Sequence, residues 1–302
     1  MFSLPPIPTA LLAILALFIL ITEVGRRRSQ LRAPRITQVE LDTLRARLAK
    51  ANLPIARVKL SNDGPSGAAT SRIGGPAYVD SLRRRWPVRG KDRRPMLLLA
   101  QINFAEVPAL ADFPSKGLLQ LFGCVDERGH LESLENKADR VIRWFPDPDG
   151  NLTLTPPGPL SAFPKRYSMS PRVVEKGMGM SFERNDAEAN PANWPYDETL
   201  AGFDRRLPET DDVKRSLRAL QQEAYGTEKD QGFHWVGGHP RFVQGDVRFE
   251  PRLRKLNRVL LHLTDDNSDI RLGDSGELNL MISSKALRNA DFDQAYCTWD
   301  CS

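Results

Sequence analysis

Several groups of side chains in this 302-residue sequence have the composition of reactive sites. Gly273-Asp274-Ser275-Gly276 has the form of a turn that presents a serine nucleophile. Such an enzyme also needs a histidine base oriented by a buried carboxylate. His130 and His262 stand in no matching context, so the tetrapeptide reads first as a turn whose aspartate and glycines take unusual backbone angles. His234, His239 and Asp246 are metal-ligand types. A spacing of five places the two histidines on one face of neither a helix nor a strand, and they read as hydrogen-bonded structural residues. Asp265, Asp266 and Asp269 follow a strand as in a calcium loop, but the glycine and terminal glutamate of such a loop are out of register. Cys297 and Cys301 are separated by three residues, with no second ligand pair nearby, and read with Cys124 as reduced thiols. No metal or other cofactor is expected, and no set of nucleophile, base and oxyanion donors stands out.

Two stretches offer binding chemistry instead. SRIGGPAYVD (71–80) and HWVGGHPRFV (234–243) both place two glycines between a β-branched residue and an aromatic-valine pair. The glycines could turn backbone N–H groups toward an anion, with Arg72 adding charge, but no helix start or phosphate-loop lysine follows. A tight structural corner is the simpler reading. If the corners of the two halves meet, Gly74, Gly75, Gly237, Gly238, Arg72, His239 and Asp274 form a candidate binding cleft, with the last three converging on a ligand. The second stretch is the loop 81–95, with seven basic residues and one acid. Arg83, Arg84, Arg85, Arg93 and Arg94 are candidates for contact with anionic lipid, and the alternative is a solvated loop neutralised by nearby acids.

The elements that position these residues follow from patterning. Thr37 and Glu40 form a capping box for a helix with Val39, Leu41, Leu44 and Leu48 on one face. IARVKL (55–60), MLLLAQINF (96–104), GLLQLF (117–122), VIRWF (141–145) and RVVEKGM (172–178) read as strands, and a second helix follows the cap Thr210. The order of glycine corner, buried strand, glycine and buried strand recurs, with Ile73/Val236 and Leu97/Leu260 both 163 residues apart. GLLQLF then answers GELNLMI (276–282). This points to an internal duplication, with halves at about 37–205 and 206–302. The fold expected is α+β: a large mixed, mostly antiparallel sheet from two similar halves, with a few packed helices.

Charge locates the chain. Of 43 basic and 38 acidic residues, the stretch 26–35 holds five arginines and Glu23 lies just before it. The body from residue 36 therefore keeps 38 basic and 37 acidic residues, a near-neutral balance that excludes nucleic acid as a partner. Residues 2–22 carry no charge, long enough for one membrane-spanning helix. Basic residues on its C-terminal flank place the body in the cytoplasm. The expected organisation is an anchor at 1–25, a basic linker at 26–36 and a domain at 37–302, at the inner membrane.

The motifs SRIGG, LLLAQINFAEVP, KGLLQLF, VGGHPRFVQGD, LLHLTDD and GDSGELNLMI, with the terminal Asp300-Cys301, resemble the bacterial YwqG-like family over roughly residues 50–302. The resemblance implies a largely antiparallel α+β fold with internal similarity and no established reaction or cofactor. It also suggests an immunity-like role toward a protein partner. The function expected is a non-enzymatic protein-binding module; the alternative is a ligand-binding or hydrolytic domain with its cleft between the halves.

Overall fold

A computed structural model describes residues 53–80, 82, 85–127, 129–150, 152–155, 169–186, 234–265 and 269–301, with Val39, Asp42, Thr43 and Ala46 from an N-terminal helix. The uncharged segment 2–22, the linker 26–36 and the helix following Thr210 lie outside the described residues. Among the described residues, no helix is long and apolar enough to cross a membrane.

The apolar runs form strands, and the most apolar of them, such as LLLAQIN and ELNLMI, are buried on both faces. They are β1 (Ile55–Ser61), β2 (Arg72–Ile73), β3 (Ala77–Tyr78), β4 (Leu97–Asn103), β5 (Leu118–Gly123), β6 (Arg140–Phe145), β7 (Thr153–Leu154), β8 (Met178–Asn185), β9 (His234–Gly237), β10 (Arg258–Thr264), β11 (Glu277–Ile282) and β12 (Tyr296–Asp300). Ten of them make one sheet in the order β12-β11-β10-β9-β1-β8-β2-β4-β5-β6, and β3 and β7 form a small ribbon. Every ladder between these strands is antiparallel, in line with the mostly antiparallel sheet expected from the sequence, and no parallel pair occurs among the described residues. β4 and β5, and likewise β10 and β11, follow one another in the chain and pair as antiparallel neighbours.

Among the described residues, beyond that N-terminal helix, the helices are α1 (Pro171–Lys176) and α2 (Ser284–Arg288), with three single 3-10 turns. The RVVEKGM stretch, expected as a strand, is α1 running into β8. Ser170 caps its N-terminus, Pro171 starts it, and Gly177 ends it at φ 78°, and these local signals outweigh the paired valines. Val39, expected on the apolar face of the first helix, is 73% exposed.

The register repeats between two sets of strands. Leu99 and Leu260 are each the bulged residue of their strand, opposite β5 and β11 respectively. Gln101 opposes Gln120 as His262 opposes Asn279. Trp144 opposes Leu119 as Trp299 opposes Leu278. The sequence pairing of Leu97 with Leu260 is thus corrected by two residues: the bulge makes Leu99 the equivalent of Leu260. The first strands are exchanged. β1 pairs with β9, whereas β8 pairs with β2. No cut in the chain therefore separates two self-contained half-sheets.

The sheet curls until its outer strands approach. Trp299 Nε1 donates to the Glu132 carbonyl at 3.0 Å, and Thr298 Oγ1 donates to the Glu135 carboxylate at 3.0 Å. Arg140 donates to the Ala295 carbonyl at 3.1 Å. Trp144 packs on Phe292 with ring centroids 4.5 Å apart. Side chains thus cover the two edges, which would otherwise offer unpaired backbone to another chain. Inside the curl one cluster joins both halves, including Leu99, Leu119 and Leu121 with Leu261, Leu263 and Leu280.

Candidate functional site

The glycine corners explain what lies on the outer face. Gly74, Gly75, Gly237 and Gly238 all have positive φ, between 62° and 89°. A Cβ on Gly74 would lie 2.3 Å from the Val173 carbonyl oxygen, and one on Gly237 would lie 2.8 Å from that of Pro54. Only glycine fits both the angle and the approach. Each corner turns the chain out of the sheet and lays it across the outer face. There a buried strand amide holds it: Gln120 Nε2 donates to the Tyr78 carbonyl at 2.8 Å, and Asn279 Nδ2 to the Arg241 carbonyl at 2.6 Å.

In the first half, Arg72 sits under this crossing segment, 2% exposed. Its guanidinium donates to the carbonyls of Thr70, Pro76, Gly67 and Ala68 and to Thr70 Oγ1. Burial lowers its pKa to about 10, with Glu106 opposing the shift. Gln101 accepts from the Tyr78 N–H and donates to the Ala68 and Thr70 carbonyls. This arginine is a clamp on its own loop, with its donors turned inward.

The second half holds a histidine in the place of Gln101. Asn279 Oδ1 is an acceptor, so His262 Nδ1, 3.0 Å away, carries the proton. His262 Nε2 then accepts from the Thr264 hydroxyl at 3.2 Å. Trp235 stacks on the imidazole at 3.5 Å and 17°. Burial and then the Arg241 charge hold its pKa well below the ordinary range, so the ring is neutral. Arg241 donates through Nε and Nη2 to Glu277 Oε1, both at 2.5 Å. Burial raises the Glu277 pKa against the pull of Arg241. With both imidazole nitrogens engaged and the ring fully enclosed, this cluster is built to hold strands together, not to exchange protons with a substrate.

The other candidate residues are distributed as follows. His239 is buried at the second corner, whereas Asp274 is exposed in the β10–β11 turn, where Ser275 has φ 53°. His234 Nδ1 accepts from the Thr264 N–H, and Asp246 caps a 3-10 turn and pairs with Arg248. Asp265 accepts from the Leu272 N–H, and Asp269 binds Ser170 and Arg172; Asp266 lies outside the described residues. Among the described residues, no three histidines, cysteines or acids are grouped to hold a metal.

A scan against family models matches residues 71–301 to a domain of unknown function, DUF1963. The chain belongs to the DUF1963 family. No curated protein matches it. The matched region of this DUF1963 domain begins just before the first corner and ends within one residue of β12, so it takes in both outer-face crossings and both sheet edges.

Solvent reaches this DUF1963 domain at the foot of the basic loop. Of the five lipid-contact candidates, Arg83 and Arg84 lie outside the described residues, while Arg85 and Arg93 are exposed. Arg94 pairs with Asp92 at 2.5 Å. Arg89 pairs with Asp139 at 2.7 Å and with Glu132 at 3.2 Å, so part of the loop is neutralised by acids. Behind it is a cavity of about 470 Å³ whose lining includes Val88, Arg89, Lys91, Met96, Lys137 and Arg140. Lys137 and Arg140 escaped the sequence reading because they are far from the loop in the chain; only the β5–β6 connection brings them beside it.

Proposed function

We propose that this chain is a membrane-anchored binding module that engages a protein partner and performs no catalysis. The observation that carries this reading is the commitment of Arg72 and His262, the buried groups best suited to chemistry, to internal bonds. Arg72 is spent on loop oxygens, and His262 is spent on Asn279 and Thr264. The accessible chemistry is a basic surface cavity suited to binding.

In this reading residues 2–22 form a single anchor in the inner membrane, and the arginines after it hold the domain on the cytoplasmic side. In this reading the motifs that resemble the YwqG-like proteins carry over their implied role, and the partner is a protein that an immunity-like module would restrain. Affinity capture of the full-length chain from native membranes, with mass spectrometry of proteins and small molecules, tests this. A reproducible protein partner is the expected result. Recovery of a small molecule that is turned over, with no protein, would overturn it.

A further inference from the structure

The cavity at the basic loop has an asymmetric charge. Arg89, Lys91, Lys137 and Arg140 line it together with a single carboxylate, Asp139. That carboxylate is already engaged, by Arg89 at 2.7 Å and by Asn136 Nδ2 at 2.9 Å. Arg140 is 5% exposed, and its guanidinium donates to the carbonyls of Leu134, Glu135 and Ala295. These carbonyls solvate the buried cation, and the Glu135 charge partly offsets the cost of its burial. Lys91 and Lys137 are exposed at the rim. The lining also has an apolar part in Val88, buried Met96 and Val141. A neighbouring cavity of about 320 Å³ has the opposite balance: Arg94 with Asp126, Glu127 and Glu132. The cationic character is therefore local and not a general property of this surface.

We infer that the cavity lined by Lys91, Lys137 and Arg140 is a recognition site for an acidic peptide segment, in which a glutamate or aspartate side chain enters beside an apolar neighbour. A carboxylate there meets the exposed ammonium of Lys91, that of Lys137, which also reaches the Asp293 carbonyl at 3.3 Å, and the cation of Arg140 behind them. The apolar lining accommodates the adjacent side chain. The volume matches a few side chains and is at the lower end of ligand sites in general. This rests on the protein-binding reading and names the chemistry of the partner.

The test uses the full-length chain in zwitterionic micelles and a fluorescent hexapeptide of alternating glutamate and leucine. A glutamine-leucine peptide is the control. The wild-type chain should bind the glutamate peptide in a salt-sensitive way, and Lys91→Ala/Lys137→Ala, with unchanged melting temperature, should bind roughly tenfold more weakly. Equal binding by the variant, equal binding of the glutamine peptide, or no peptide binding overturns the assignment. So does a short-chain phosphatidylserine that binds where the peptide does not, since that makes the site a lipid site. Capture of partners by the same variant separates the two readings. An undiminished partner set leaves the protein-binding module intact and removes this cavity from it; no partner with either chain removes the module itself.

Discussion

Arg140 and Ala295 lie 155 residues apart in the chain and are joined by a 3.1 Å hydrogen bond across the two ends of a ten-stranded sheet. The guanidinium also reaches the carbonyls of Leu134 and Glu135, so a single side chain binds the loop before β6 to the residue before β12. Burial lowers its pKa, which is the electrostatic cost of putting a cation where it can hold both edges.

Replacing Arg140 with methionine should destabilise the domain by about 2–4 kcal/mol, because it strips donors from buried carbonyls while roughly keeping the volume. Urea denaturation checks this. A change below about 0.5 kcal/mol would mean that the seam does not contribute to stability.

The corners predict a second loss. Gly237→Ala puts a Cβ at φ 89° and 2.8 Å from the Pro54 carbonyl oxygen. The conformational term alone is about 1–2 kcal/mol and the contact adds to it. A drop in melting temperature of several degrees is expected, roughly 2–4 °C per kcal/mol in a domain of this size. An unchanged melting curve would show that the corner is free to relax.

His262 sets a pH dependence. Its folded-state pKa lies below the ordinary 6.5, so the unfolded chain takes up the proton first as pH falls. Its contribution is complete above about 6.5 and is lost below it, at up to about 1.4 kcal/mol per pH unit. Glu277, whose pKa is raised, acts in the opposite sense: its contribution is full below the ordinary 4.5 and lost as pH rises through the folded value. Unfolding free energies of wild type and His262→Gln should therefore converge as pH falls below 6.5. Parallel curves would contradict a buried neutral imidazole.

Thiol labelling gives a simpler check. Burial pushes Cys297 up to about 12 and Cys124 up to about 11, and both are enclosed. Cys301 is half-exposed. Iodoacetamide should modify Cys301 in the native protein and the other two only after unfolding. Fast native labelling of Cys297 would show that β12 opens readily.

Much of the frame was legible in the residues. Runs such as Leu97–Asn103 and Glu277–Ile282 read as strands because two covered faces demand continuous apolar sequence. The duplicated corners were legible because positive φ admits little besides glycine. The two-residue correction at Leu99 was hidden, since a bulge changes register without changing composition. The exchange of β1 and β8 was hidden for another reason: strand partners are chosen by tertiary packing, and neither strand carries a mark of which half it joins. The basic loop was legible as charge. Its cavity was not, because Lys137 and Arg140 reach it only through the pairing that sets the β5–β6 connection beside the loop.

The proposed partner-binding surface is the basic cavity and not the glycine corners. A photo-crosslinking amino acid placed at Lys91, and separately at Asp274, in the full-length chain in native membranes compares the two directly. Protein adducts are expected from position 91 and none above background from position 274. Adducts from 274 with none from 91, or lipid as the sole adduct at 91, would contradict this expectation.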